Sequence, residues 1–241
     1  SVPFALSSNG YGFLWNNPAI GKVTFGKNVT EWTAYSTKQM DYWITAGDTP
    51  AEIEEAYAQA IGRAPMMPEY GLGFWQCKLR YQTQEELLEV AREYKRRELP
   101  VDVIVVDYFH WPHQGDWKFD PEYWPDPAAM VRELKNMGIH LMVSVWPTVD
   151  RDSENYEEMV ELGFLTRSEC GKRIGQLGDE ACLIDVTNPD GRAYVWEKIR
   201  KNYYEKGIRI FWLDEAEPEF TGYELQNYLL FRGADMEVGN I

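Results

Sequence analysis

Residues 101–107 read VDVIVVD, with five β-branched side chains and a closing aspartate. A strand with one wet face alternates apolar and polar residues, yet 103–106 is apolar without a break. Such a run is buried on both faces, as in a parallel sheet covered by helices. Two further stretches have the same character, HLMVSVWP at 140–147 and IRIFWLD at 208–214, and a shorter one, GLGFW at 71–75, precedes them. Helix signals lie between. Thr83 with Glu86 three residues later forms a capping box, and Leu87, Ala91 and Tyr94 follow on one face. Asp126-Pro127 opens a helix carrying Met130, Leu134 and Met137, stopped by Gly138. Asn188-Pro189 opens another carrying Val195, Ile199 and Tyr203, ending near Gly207. The alternation predicts an α/β fold, either a barrel or a doubly wound sheet. Residues 148–187 break the rhythm and read as an insertion after the third strand, where barrel enzymes build substrate sites.

Toward the N-terminus the texture changes. GYGFLWNN, KVTFGKN and MDYWITAG within residues 1–47 read as short aromatic strands joined by tight turns. Thr49-Pro50 then starts a helix in which Ile53, Ala56, Tyr57, Ala60 and Ile61 recur at helical spacing, with Gly62 as its stop.

The 241 residues suffice for one large domain, or for a domain and part of another. A formal net charge of −15 argues against nucleic acid and anionic membranes as partners. No run approaches the ~18 apolar residues of a membrane span. Cys77, Cys170 and Cys182 are too widely spaced for a zinc pattern, and their odd number gives no disulfide framework. There is no glycine-rich phosphate loop, and His110, His113 and His140 form no cluster, so neither a metal nor another cofactor is expected. The first residues lack the charged-then-apolar order of a leader peptide. With the odd cysteine count, a cytoplasmic location is favoured and the compartment stays open.

Asp107 and Asp214 each close an apolar run, which sets both on one rim of a parallel sheet; in barrels that rim carries the chemistry. Aspartate is also a good turn former, so one such residue would say little. Two on one rim, beside Tyr108, Phe109, Trp111 and Trp212, say more, and Trp146 ends the third run there as well. Carboxylates take sugar hydroxyls, and flat aromatic faces take the C–H faces of the ring. Beyond Asp214 the acids crowd, with Glu215, Glu217 and Glu219. If all faced one cavity they would raise one another's pKa, so neighbouring side chains are expected to diverge. For His110 and His113 a loop or core role is the expectation, with substrate contact as the alternative.

These residues support a family resemblance. GFWQCKLRYQTQEELLEVAREYKRRELPVDVIVVDYFHW resembles the first two barrel units of glycoside hydrolase family 31, and FDPEYWPDPAAMVRELKNMGIHLMVSVWP resembles the next. FWLDEAEPEF is similar to the family's nucleophile segment, and PFALSSNGYGFLWNN to the end of the β-sandwich before its barrel. The resemblance implies a retaining α-glycosidase acting on α-xylosides or α-glucosides. Its fold would be the first half of a (β/α)8 barrel preceded by the end of a β-sandwich. It places the sandwich end at 1–47, a linking helix at 48–69 and four β/α units at 70–241. By position Asp214 matches the nucleophile and Asp107 the carboxylate that holds sugar hydroxyls. Trp146 and Trp212 would line the same subsite, and Glu217 would support it. Arg80 or Tyr81 stands where other members carry a subsite aromatic, which leaves xylose against glucose open. The family's acid/base comes from a later segment, so the chain reads as a piece of a larger enzyme, inactive by itself. The expected partner is an α-linked sugar or oligosaccharide, with a homo-oligomer possible. A non-catalytic carbohydrate-binding or structural piece is the alternative. A smaller enzyme using Glu217 or Glu219 as acid is disfavoured, because acids so close in sequence rarely straddle a glycosidic bond.

Overall fold

A computed structural model describes residues 2–166 apart from 18, 20 and 36, the backbone of 175–176, and 181–216. The described residues fall into two compact units, one up to residue 66 and the other from 67 onward.

The first unit holds strands β1 (Phe4–Ser7), β2 (Tyr11–Leu14), β3 (Gly21–Phe25), β4 (Thr30–Ala34) and β5 (Trp43–Ala46), followed by helix α1 (Pro50–Ile61). β1, β2 and β5 form an antiparallel sheet in that order, and β3 and β4 form a separate hairpin. The Thr49 hydroxyl accepts the Glu52 amide at 3.3 Å, and Pro50 occupies the first turn, where a missing N–H costs nothing. Ile53 is buried against Gly12, where an added Cβ would come within 2.7 Å of it. Tyr57 stacks on Phe4 with ring centres 4.1 Å apart.

The second unit begins with a 3-10 turn, Glu69–Leu72. It continues through β6 (Trp75–Cys77), α2 (Gln84–Arg96), β7 (Val103–Val106), α3 (Pro127–Asn136) and β8 (His140–Val145). The remaining elements are β9 (Thr148–Asp150), α4 (Tyr156–Glu161), β10 (Gly175–Gln176), β11 (Ala181–Leu183), α5 (Pro189–Asn202) and β12 (Ile210–Leu213). Among the described residues the central sheet is parallel, in the order β6-β7-β8-β12. Each new strand joins on the same side as the last. Residues in the 148–187 stretch build a second, antiparallel sheet, β10-β11-β9.

The first strand starts later than the run GLGFW suggests. The amides of Gly71 and Gly73 close onto the carbonyls of Pro68 and Tyr70, so 71–73 is turn. Pairing starts at Trp75, opposite Val103. Asp102 sets this register: its amide reaches Phe74 O at 2.9 Å, its carboxylate accepts the Phe74 amide at 3.2 Å, and its carbonyl accepts the His140 amide at 2.8 Å. Gly73 lies so close that a Cβ there would be 2.0 Å from the Asp102 carboxylate.

The two central strands, β7 and β8, are covered on both faces, as their unbroken apolar runs require, while Trp212 and Leu213 of the edge strand β12 stay exposed. On the outer face Ile104, Val106, Leu141, Val143 and Val145 pack with Leu87, Ala91, Met130, Leu134, Val195 and Ile199 of the helices. On the inner face Val103, Val105 and Met142 pack with Tyr70, Trp75 and Ile210. Each fully buried Val, Leu or Ile contributes about 1.5–3 kcal/mol. The helices start where their caps predict: Thr83 Oγ1 accepts the Glu86 amide at 3.1 Å, and Asp126 Oδ1 accepts that of Ala129 at 2.9 Å.

Candidate carbohydrate site

Alternation along the strands decides which side chains share the inner face. Trp75 and Cys77 share it with Val103, Val105 and, one position beyond β7, Asp107. Met142 leads to Ser144 and Trp146 on β8, and Ile210 leads to Trp212 and Asp214 on β12. The pairing partner of Trp212 is Ser144, and continuing the β7–β8 register by one residue sets Asp107 beside Ser144 too. The Asp214 amide bonds to Val145 O at 3.1 Å, which carries the ladder past the last strand residue. Asp107 and Asp214 therefore stand on one rim, with β8 between them. Two strand spacings and a two-residue offset along the strands place their backbones about 12 Å apart.

Asp107 is held on three sides. Its Oδ1 accepts the Tyr108 amide at 2.8 Å, its Oδ2 lies 3.6 Å from the Cys77 sulfur, whose single hydrogen it shares with the Lys78 carbonyl at 3.4 Å, and its carbonyl lies 2.9 Å from His110 Nδ1. Burial, followed by the charge of Asp107, pushes the Cys77 thiol up to about 11. At neutral pH it is a proton donor to the carboxylate and not a nucleophile. The residue pattern held no cue to this role beyond the two-residue spacing from Trp75.

Trp146 is nine-tenths buried. Tyr108 stacks on it at 5.5 Å, Trp111 meets it edge-on at 5.7 Å, and its carbonyl accepts the Trp117 indole N–H at 3.0 Å. Among the described residues neither its own Nε1 nor the buried hydroxyl of Ser144 has a hydrogen-bond partner. An unmet buried polar group costs about 1–3 kcal/mol. Both atoms are sealed from solvent, Ser144 being 1% and Trp146 8% exposed. Trp212 is 45% exposed on that face, a free aromatic surface.

Phe109 adopts a left-handed φ of 58°, and the Arg80 guanidinium lies 5.8 Å from its ring centre. Tyr81, the other residue expected near a subsite, is fully buried and bonds Gln76 through its hydroxyl. His110 is a buried loop anchor, and the His113 amide bonds the Asp116 carboxylate at 3.1 Å. Glu215 takes a left-handed φ of 52°, which turns the chain directly after Asp214. Glu217 and Glu219 lie outside the described residues. Among those described, no group of three or more His, Cys, Asp or Glu could hold a metal ion. No described helix is long and apolar enough to cross a membrane.

A family profile described as glycosyl hydrolases family 31 TIM-barrel domain matches residues 64–235. The solved structure of a GH31 α-xylosidase from a soil metagenome, complexed with xylose, is 60% identical with a TM-score of 0.92; the match covers 100% of this chain and 36% of that one. An uncharacterized family 31 glucosidase of Pseudescherichia vulneris is 54% identical over 241 residues, 100% of this chain and 46% of its own length. Alpha-xylosidase A of Aspergillus niger is 41% identical over 232 residues, 94% of this chain and 31% of its own length. The chain thus spans less than half the length of each of these relatives.

Proposed function

The chain belongs to glycosyl hydrolases family 31, and on that premise we propose that it carries the nucleophile half of a retaining α-glycosidase site, with α-xylosides as the preferred substrates. The observation that carries this reading is the placement of Asp107 and Asp214 on one rim, flanking β8, with Trp146 and Trp212 on the same face.

In a retaining mechanism the Asp214 carboxylate attacks the anomeric carbon as the bond to the leaving oxygen breaks, giving a glycosyl ester. Water then cleaves that ester. Asp107 accepts hydrogen bonds from sugar hydroxyls, and the protonated Cys77 thiol keeps its carboxylate oriented. Trp212 offers a stacking face, and Trp146 packs behind the site against Tyr108 and Trp111. Glu217 is assigned a supporting place beyond Asp214. The proton for the leaving oxygen comes from a group outside the residues named here, so turnover belongs to the full-length enzyme and the 241-residue chain alone should bind sugar without hydrolysing it. The relatives named α-xylosidases support xylose over glucose.

The strand order supports the architecture we assign, the first four β/α units of a (β/α)8 barrel at 70–241. A doubly wound sheet reverses direction at a switch point, whereas β6-β7-β8-β12 runs one way. Residues 1–47 are assigned to the end of a β-sandwich and 48–69 to the link.

Incubating the full-length enzyme with an activated fluorinated α-xyloside should trap the ester. Mass spectrometry should then find the adduct on the peptide bearing Asp214, and Asp214→Ala should abolish both adduct and turnover. An adduct elsewhere, or an Asp214→Ala enzyme that keeps most of its activity, would refute the assignment.

A further inference from the structure

The turn that follows β7 is fixed in an unusual shape. Asp107 caps the Tyr108 amide, Phe109 sits at φ 58°, and the chain returns at His110, whose Nδ1 lies 2.9 Å from the Asp107 carbonyl. A left-handed, bulky residue persists only where its surroundings over-determine it. His110 is 1% exposed and wedged between Trp111, Phe119 and Tyr203.

The two contacts of the ring settle its proton. Burial holds His110 neutral, down to about 4, so it has one N–H and one lone pair. A carbonyl can only accept, so Nδ1 carries the hydrogen. Nε2 must then accept, and its partner is the Tyr203 hydroxyl at 2.8 Å. Tyr203 is the C-cap of α5 and is itself fully buried. A chain of two hydrogen bonds, O–H to N and N–H to O=C, thus runs from the residue that follows α5, ahead of the 3-10 turn Tyr204–Lys206 and β12, to the backbone of Asp107.

We propose that His110 is a positioning residue for the sugar site: its Nδ1–H holds the Asp107 carbonyl, and so sets the turn that presents the Asp107 carboxylate and lays the Tyr108 ring on Trp146. Its consequence for ligand binding rests on the sugar-site reading above; its consequence for the turn does not. A purely packing histidine would hold α5 against the loop without fixing which way the turn faces.

Two substitutions separate these roles, because asparagine and glutamine each keep one half of the ring's chemistry. In His110→Asn the amide nitrogen occupies the place of Nδ1 and can still donate to Asp107, while the bond to Tyr203 is lost. In His110→Gln the amide reaches the place of Nε2 and keeps Tyr203, while the bond to Asp107 is lost. Both should melt at lower temperature. NOEs between the Tyr108 and Trp146 rings in the 241-residue chain report the turn directly. They should persist in His110→Asn and vanish in His110→Gln. Binding of D-xylose, followed by chemical-shift titration, should stay within about 2-fold of wild type in His110→Asn and weaken at least ~5-fold in His110→Gln, the worth of one hydrogen bond. Tyr203→Phe, the mildest change, should keep both the NOEs and the xylose affinity. Equal NOEs in the Asn and Gln variants, or their loss in Tyr203→Phe, would overturn the positioning role. A wild-type chain that binds no xylose would count against the sugar reading instead, with the NOE comparison still deciding the turn.

Discussion

The thiol of Cys77, at the end of β6, lies 3.6 Å from the carboxylate of Asp107, one residue past the end of β7, and shares its hydrogen between that carboxylate and the Lys78 carbonyl at 3.4 Å. With its pKa raised to about 11, this thiol holds its proton throughout the neutral range. Alkylation of Cys77 by iodoacetamide should therefore be slow at pH 7–8 and accelerate only as pH approaches 11, since the thiolate is the reacting form. Peptide mass spectrometry gives the rate at this position separately from the other cysteines. A rate that levels off near pH 8.5, the ordinary thiol range, would show that neither burial nor Asp107 restrains it.

Asp107 is assigned a binding role and Asp214 a covalent one, and their variants should differ accordingly. In the full-length enzyme Asp107→Asn keeps a side chain of the same size but replaces one acceptor oxygen with a donor. It should raise KM for an aryl α-xyloside and also lower kcat, because contacts to hydroxyls strengthen in the transition state. No glycosyl ester can form on the alanine of Asp214→Ala. Unchanged KM in Asp107→Asn would remove this residue from the sugar site.

Among the described residues nothing bonds the buried hydroxyl of Ser144. Replacing it with alanine removes the unmet group at almost no cost in packing. Ser144→Ala should therefore be as stable as wild type or more so, by up to about 1 kcal/mol in urea unfolding. A loss of stability would mean that an ordered water already satisfies this hydroxyl.

His110 ties stability to pH. Its folded-state pKa, about 4, lies below the unfolded value near 6.5. The unfolded chain therefore binds the proton first, and the stabilisation is complete above pH 6.5 and is lost as pH falls toward 4. The full effect is about 3 kcal/mol. Glu86, with its pKa lowered mainly by the hydrogen bond from Lys78, also loses stabilising charge in acid. The comparison with His110→Asn isolates the histidine: urea midpoints of that variant should fall less steeply between pH 6.5 and 4. Parallel curves would show that His110 titrates normally.

Among the described residues β6 and β12 are open edges of the parallel sheet, and Leu72, Phe74, Trp212 and Leu213 are exposed. Unpaired strand edges beside apolar surface favour association. The purified 241-residue chain should sediment as a dimer or larger species at micromolar concentration. A monodisperse monomer would mean that these surfaces are covered within the chain.

Much of this was legible in the residues because it is local chemistry. The apolar runs at 103–106 and 140–145 can satisfy their side chains only when buried on both sides, and they form the centre of the sheet, with 210–213 as an edge strand left partly exposed. Thr49, Thr83, Asp126 and Asn188 cap their helices because a side-chain oxygen there meets amides that no helical carbonyl reaches. The closing positions of Asp107 and Asp214 followed from the strand ends.

What the sequence left undecided depends on contacts between residues far apart along the chain. GLGFW has the composition of a strand, but Asp102, about thirty positions away, fixes where pairing begins, and 71–73 becomes turn. Cys77 is an unremarkable cysteine until β6 and β7 pair in parallel and bring its sulfur to Asp107. His110 reads as a loop residue until the end of α5 supplies Tyr203. The unmet donors on Ser144 and Trp146 cannot be read from a pattern either, because the lack of a partner is a property of everything packed around them. The sequence determined which segments must be buried and where their ends lie, since hydrophobic transfer and capping act over a few residues. Tertiary structure alone decided which polar groups meet across the strands, since hydrogen bonds are short and directional and depend on register.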